Sequence, residues 1–290
     1  MKKILVTGAT GFLGHHIVKA LLRCPDTIVI AIGGRPEDTS NDLPQDDRLL
    51  FFPLNVFFTN DFNDIETAVN CAFARSNDAQ LLSEAFDFTE KAIRKLEDSD
   101  VKSIINISSQ GVYKRLPQGV LSTEESPIKP IDLYSMAKYA SEKMFNISSI
   151  PHVTNVRLAS LIMPQRFLYY FVKNAIKGEQ FTVTAPNQYA ALLDVRDAAD
   201  AIAALALLSP EKRKGIYNLG IGTQYSLLEY ATSVKEIGTR MGYNISFDIK
   251  DNGSDVCAGM DCSQIMNDTE WKPKFLKDEM IRDLFDFIDK

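Results

Sequence analysis

Three glycines spaced three apart, Gly8, Gly11 and Gly14, stand between the apolar run Ile4-Leu5-Val6 and a run of helix formers from Ile17 to Arg23. A strand has to end there, the backbone has to turn within a few residues, and a helix has to start packed close against the strand. The pyrophosphate of a dinucleotide needs this order. One glycine makes the turn, a second lets backbone N–H groups approach the phosphates, and a third lets the helix lie against the strand. An ordinary glycine-rich βα turn has the same spacing. The strand and helix on either side favour the dinucleotide reading. Thr10, Phe12 and Leu13 fall in the same turn and are expected to line the ligand with the glycines.

The remainder of the first half repeats the alternation. Ile28 to Ile32, Leu49 to Phe52, Ala68 to Ala72, Ser103 to Ile107 and Thr154 to Leu158 read as the second to sixth strands. Helical patterns lie between them, notably Asp78 to Leu96 and Tyr134 to Phe145. Strand–helix alternation implies an α/β fold, a Rossmann-type doubly wound parallel sheet with right-handed crossovers. Ligands of such sheets sit beyond the carboxyl ends of the strands. Past about residue 160 the pattern loosens, with helical stretches at Asn174 to Gln180, Ala198 to Leu208, Leu227 to Met241 and Asp278 to Ile288. This predicts a dinucleotide-binding part over 1–160 and a smaller α+β C-terminal lobe over 161–290 that selects the substrate. Some segments, about 190–222, are expected to return to the sheet. The polar stretch Arg35 to Asp47 reads as a surface loop.

Charge and cysteine usage exclude several classes. The net charge is −6, and there is no basic block, so neither a nucleic-acid footprint nor a membrane-surface patch is expected. No apolar stretch is long enough to span a bilayer, and the opening apolar run is too short for a signal peptide. Cys24, Cys71, Cys257 and Cys262 show no CxxC spacing and no histidine cluster. Neither zinc nor a disulfide framework is expected, and a reducing cytoplasm is.

A second constellation carries chemistry. Tyr134 and Lys138 stand four apart on one helical face. A free tyrosine, with a pKa of about 10, is a poor base at neutral pH, and a nearby cation favours its phenolate. The phenol can then exchange a proton with a substrate hydroxyl or carbonyl. Tyr-x-x-x-Lys alone is common on solvated helices. Here Ser108-Ser109-Gln110-Gly111 follows the fifth strand, so Ser109 would sit at its carboxyl end beside the same cleft. A helix cap or a turn is the alternative role for these serines.

With the glycines, the serine, the tyrosine and the lysine in register, the chain resembles the extended short-chain dehydrogenase/reductase superfamily, the NAD-dependent epimerase/dehydratase branch. The resemblance covers nearly the whole chain. Gly8, Gly11 and Gly14 match its glycine motif, and Ser109, Tyr134 and Lys138 its catalytic triad. Ala72-Phe73-Ala74 falls at its small-residue segment over the cofactor. Asp197, Tyr217-Asn218-Leu219-Gly220 and Trp271-Lys272-Pro273 look like its later landmarks. The resemblance implies hydride transfer at a sugar or related carbinol carbon. Tyr134 would be the acid/base, Lys138 would lower its pKa and hold the nicotinamide ribose, and Ser109 would orient the reacting oxygen. Asn55 and Val56 would contact adenine, and Ser108 and Leu158 complete the expected cofactor contacts. A homodimer pairing the Asp78–Leu96 and Tyr134–Phe145 helices is expected from relatives.

The end of the second strand bears on the dinucleotide. It carries no acid before Glu37 but does carry Arg35, which could pair with a 2′-phosphate, so the expectation is NADP, with NAD possible. Family dehydratases place an Asp–Glu pair where this chain has Gln110 and Gly111, so dehydration is disfavoured. Net reduction of a keto group on a sugar nucleotide or related sugar is the leading expectation. The alternatives are a sugar-nucleotide 4-epimerase with retained NAD and a reductase of a phosphate-free carbonyl compound. A non-catalytic dinucleotide-binding protein is disfavoured by the intact triad. The substrate is expected to be a small molecule, with its identity open, because two arginines that usually hold the diphosphate are altered. By register one falls at Ala190 and the other in Asp251-Asn252-Gly253-Ser254-Asp255, and a frequent Asn appears as Ser160. Arg166, Lys173 and Arg196 are the substitute cations available.

Overall fold

A computed structural model of the chain describes residues 1–34, 43–162, 166–253 and 257–289. Seven parallel strands form its central sheet: β1 (Lys2–Thr7), β2 (Thr27–Ile32), β3 (Leu49–Phe52), β4 (Thr67–Asn70), β5 (Ser103–Ser109), β6 (His152–Leu158) and β7 (Ile216–Leu219). Their order is β7-β6-β5-β4-β1-β2-β3. The direction of winding reverses between β1 and β4, and in sheets of this kind a crevice opens at that point. The helices are α1 (Phe12–Leu22), α2 (Leu54–Thr59), α3 (Ala79–Asp98), α4 (Leu133–Asn146), α5 (Phe167–Ile176), α6 (Val195–Leu207), α7 (Leu227–Arg240), α8 (Ser263–Thr269) and α9 (Lys277–Ile288).

Both faces of the sheet are covered, which is why its strands read as continuous apolar runs. Alternate side chains part to opposite faces. Ile4 and Val6 of β1, with Val29 and Ala31 of β2, pack with Ile17 and Leu21 of α1 and Ile202 of α6. Leu5, Ile30 and Ile32 pack on the other face with Ile93 and Leu96 of α3 and Phe145 of α4. A separate core joins α5, α7 and α9, with the Phe171 ring stacked on Phe181 at 4.5 Å and Phe181 stacked on Phe247.

A polar ladder crosses the buried sheet. Thr7 Oγ1 donates to Asn70 Oδ1 at 2.8 Å, Asn70 Nδ2 to Asn106 Oδ1 at 3.1 Å, Asn106 Nδ2 to Asn155 Oδ1 at 3.0 Å, and Asn155 Nδ2 to Asn146 Oδ1 at 2.9 Å. Asn70, Asn106 and Asn155 each serve as acceptor and donor, so polar groups that would be costly if unpaired are satisfied across four adjacent strands.

Three boundaries differ from the sequence reading. β5 runs through Ser109, so Ser108 and Ser109 are its last residues and not the turn after it. β4 ends at Asn70, leaving Cys71 and Ala72 beyond it. The helix expected over Asn174 to Gln180 is α5, which begins at Phe167 and ends at Ile176, where Gly178 takes a positive φ of 68°. Its start is set by Leu168, Phe171, Val172 and Ala175, which bury one face. Arg35, the residue that favoured NADP, lies outside the described residues. Among the described residues no helix is long and apolar enough to cross a membrane.

Candidate functional site

The glycine turn closes tightly. Gly8 has φ +66°, and a Cβ placed on it would stand 3.0 Å from the Ala72 nitrogen. A Cβ on Gly14 would fall 2.1 Å from Gly8 O, and one on Gly11 3.1 Å from the same atom. No larger residue fits at Gly14, and the positive φ at Gly8 favours glycine. Gly11 is the N-cap of α1 and offers no capping side chain, so the first-turn amides stay available to an anion. This cradle fits a dinucleotide pyrophosphate. Thr10 acts structurally, because its Oγ1 accepts from Gly34 N at 3.2 Å and ties the turn to the end of β2.

A cavity of about 310 Å³ opens at the winding reversal, over the turn. Gly8, Gly11, Phe12, Leu13 and Gly14 line it at one end, and Ser109, Tyr134 and Lys138 at the other. Ser108, Phe73 and Leu158 also face it, as do Cys71 and Ile107, which sequence reasoning did not single out. Ala72 and Ala74 flank Phe73 without lining the cavity. Asn55 and Val56 lie in the first turn of α2, beyond β3, and are outside its lining as well. A second cavity of about 310 Å³ shares Ser109, Tyr134, Ser160 and Arg166 with the first, so the two meet at the tyrosine. Gln110, Gly111 and Ala190 line the second cavity.

The tyrosine is held from two sides. Asp132 caps α4 by accepting from Ser135 N at 2.7 Å, and Asn77 Oδ1 accepts from Tyr134 N at 2.9 Å. Ser109 Oγ accepts from Gly111 N at 3.1 Å and lines both cavities with Tyr134. Burial pushes the phenol's pKa up, while the charge of Arg75, the Ser109 hydroxyl and the charge of Arg166 pull it back down. The expectation that Lys138 lowers this pKa meets a different arrangement. Lys138 is buried, its Nζ donates to Ile107 O at 2.7 Å, and it sits 4.2 Å from the centre of the Phe73 ring. Burial pulls its own pKa down to about 7.

Behind the site lies a buried ion pair. Arg157 of β6 meets Glu142 of α4 through two bonds, of 3.0 and 2.8 Å, and Glu142 also accepts from Ser108 Oγ at 2.6 Å. Ser108 therefore anchors α4 to the sheet. The later landmarks act in the same structural way. Asp197 accepts from Lys274 N and Phe275 N, fixing the segment after Trp271-Lys272-Pro273. Asn218 of β7 accepts from the Tyr113 hydroxyl at 2.7 Å and donates to Ser122 O and Asp261 O.

Of the substitute cations, Arg166 faces both cavities. Lys173 lines neither, and Arg196 is engaged with Asp194 and Asp283 while stacked 3.5 Å over Phe275. Gly111 supplies no acid of the kind a dehydratase would carry, and a Cβ there would displace the Ser135 hydroxyl, which would stand 2.4 Å away. Gln110 Nε2 donates to Ser160 Oγ at 3.1 Å.

Comparison with known proteins follows the same lines. The NAD dependent epimerase/dehydratase family model matches residues 4–220. The UDP-glucose 4-epimerase of Lactobacillus helveticus is 22% identical, over 94% of this chain and 92% of its own. A putative UDP-arabinose 4-epimerase of Arabidopsis thaliana is 24% identical, over 94% of this chain and 72% of its own. The crystal structure of UDP-N-acetylglucosamine 4-epimerase from Bacillus cereus superposes over 100% of both chains with a TM-score of 0.79 at 20% identity.

Proposed function

We propose, for a chain that belongs to the NAD-dependent epimerase/dehydratase family of the extended short-chain dehydrogenase/reductase superfamily, that it is a 4-epimerase of a UDP-sugar working with a retained NAD. Net reduction is the leading expectation from the sequence alone. The relatives named above favour epimerisation, and Arg35, on which the preference for NADP rests, lies outside the described residues. One structural observation carries the reading: Ser109 and Tyr134 stand where a glycine-cradled cavity and a second cavity meet, as a cofactor facing a substrate requires.

Gly8, Gly11 and Gly14 would hold the pyrophosphate, with Lys138 and Phe73 beside the nicotinamide end. A dinucleotide bound there would supply a reversible two-electron acceptor for the hydrogen at C4. Tyr134 takes the proton of the C4 hydroxyl as the C4–H bond breaks, leaving a ketone. It returns that proton to the oxygen when the C4–H bond re-forms on the opposite face. Ser109, which lines both cavities with Tyr134, orients the same oxygen. A site with no acid at Gln110 or Gly111 does not eliminate water at the next carbon. α3 and α4 expose Leu81, Leu133 and Met136, an apolar set suited to a homodimer about these helices.

The test is incubation with UDP-glucose, UDP-N-acetylglucosamine and UDP-glucuronate without added cofactor, with products resolved by chromatography. The C4 epimer of at least one should form while no dinucleotide is consumed. Turnover only in step with consumption of added NADPH would instead establish a reductase.

A further inference from the structure

Lys138 is an amine buried without a carboxylate of its own. It is 5% exposed, and among the described residues its Nζ makes one hydrogen bond, to Ile107 O at 2.7 Å, and no ion pair. Glu142, one turn along α4, is engaged by Arg157 and by the Ser108 hydroxyl. The Cys71 thiol faces the same cavity, but burial pushes it up to about 12, so it is neutral. Burial also keeps Tyr134 a neutral phenol, and Arg75 and Arg166 line the cavity as cations. The lining from β5 and α1 carries no ionisable group. What meets the ammonium instead is a ring. Nζ stands over the face of Phe73, 4.2 Å from its centre. The face of an aromatic ring carries the negative part of its quadrupole and attracts a cation, most strongly where water is excluded. The ring is itself fixed, because it meets Phe86 of α3 edge to face, with centres 5.9 Å apart and planes at 84°. Phe73 is the one bulky residue of Ala72-Phe73-Ala74, and it lines the cavity beside Lys138.

We propose that Phe73 is a positioning residue whose ring face keeps Lys138 protonated and in place, and so sets the upper pH limit of the grip of Lys138 on the dinucleotide. The inference rests on the cofactor reading of this cavity given above. An ammonium offers three donors, so it can hold Ile107 O and still donate to a cofactor hydroxyl. Loss of its proton removes both a donor and the charge that the ring attracts. With burial setting the lysine's pKa at about 7, a contribution of about one pH unit decides which form prevails near neutrality.

The experiment is a pH titration of the cofactor-free protein, isotope-labelled at the lysine ε-carbons and followed by NMR, with the Lys138 signal assigned from its loss in Lys138→Met. Wild type is compared with Phe73→Leu, which keeps apolar bulk without a π face. A protein with trifluorophenylalanine at position 73 keeps the ring's shape and drains its face, so it reads the same effect without disturbing the packing. The Lys138 midpoint should fall by about one pH unit in both, and by less than about 0.3 unit in Phe73→Tyr, which keeps the face. NADH binding, followed by fluorescence, weakens in wild type as the pH rises and the amine loses its proton. In the first two proteins that weakening should begin about one pH unit lower. An unchanged Lys138 midpoint, or a fall in Phe73→Leu that the trifluoro ring does not reproduce, overturns the inference and leaves the cofactor site standing. A shifted midpoint with an unshifted pH profile of NADH binding also overturns it. A wild-type protein that binds no NADH at any pH overturns the cofactor reading, and this inference with it.

Discussion

Tyr134 is the residue on which the proposed chemistry turns, and its environment differs from a tyrosine beside a lysine. Burial raises the phenol's pKa, and the Arg75 charge, the Ser109 hydroxyl and the Arg166 charge lower it, in that order. Tyr134→Phe removes the proton carrier and leaves the cavity's shape. It should reduce turnover by about 10²–10⁴-fold while NADH affinity stays within about twofold; unimpaired turnover would remove Tyr134 from the mechanism. Lys138 yields a second prediction, with a sign. Its pKa is pulled from 10.5 to about 7 by burial. Below about 7 the lysine is charged in both the folded and the unfolded chain, and folding bears the full desolvation cost. Between about 7 and 10.5 the unfolded chain holds the extra proton, so stability rises with pH. Lys138→Met should therefore raise the melting temperature of the cofactor-free protein at pH 6 and have little effect near pH 10.5. An equal drop at both values would show that the bond to Ile107 O outweighs desolvation. Ser109, Tyr134 and Lys138 are legible in the sequence because a strand end and an i,i+4 helical pair are local patterns. Arg75 is not, because its loop reaches the tyrosine through contacts between distant segments, the Asn77–Tyr134 bond and the Lys138–Phe73 contact among them.

At the level of elements, strands buried on both faces declare themselves as apolar runs; β2 and β3 can be read almost to the residue, and β1 extends beyond its apolar run to Lys2 and Thr7. The asparagine ladder cannot. Asparagine is disfavoured in strands, and its value here comes from three other strands that sequence separates by tens of residues. Asn106→Ala would strand the Asn70 Nδ2 donor and the Asn155 Oδ1 acceptor. The expected cost is about 3 kcal/mol in urea unfolding, and a loss under about 1 kcal/mol would contradict the ladder's structural role. The sequence displaces α5 because its aromatic run looks apolar all round, and only the second core shows which face is buried. α3 and α4 remain the elements that bear on assembly. Leu81, Leu133 and Met136 are 46%, 50% and 49% exposed, so a dimer about these helices should sediment at twice the 32.4 kDa of one chain. Sedimentation at the mass of one chain at micromolar concentration would contradict it.

For the whole molecule, winding order and site location follow from one constraint. A glycine turn at the first strand puts the proposed cofactor cradle at the sheet's reversal point, β5 and α4 bring Ser109 and Tyr134 to the same place, and the later segments close a second cavity against them. The sheet, the cofactor end and the proton-transfer group are therefore readable from local motifs. The proposed substrate end is legible only in part: comparison with the family singles out Gln110, Ser160, Arg166 and Ala190, but the pattern does not show that these scattered segments line one cavity. In the proposed reaction hydride leaves C4 and returns to the same carbon without net oxidation or reduction. The most direct test supplies an accepted UDP-sugar deuterated at C4 and follows the product by NMR and mass spectrometry. The C4-inverted sugar should keep its deuterium at C4, and free dinucleotide should carry no label. Deuterium released into solution as labelled dinucleotide, with a keto sugar left behind, would contradict the epimerase mechanism.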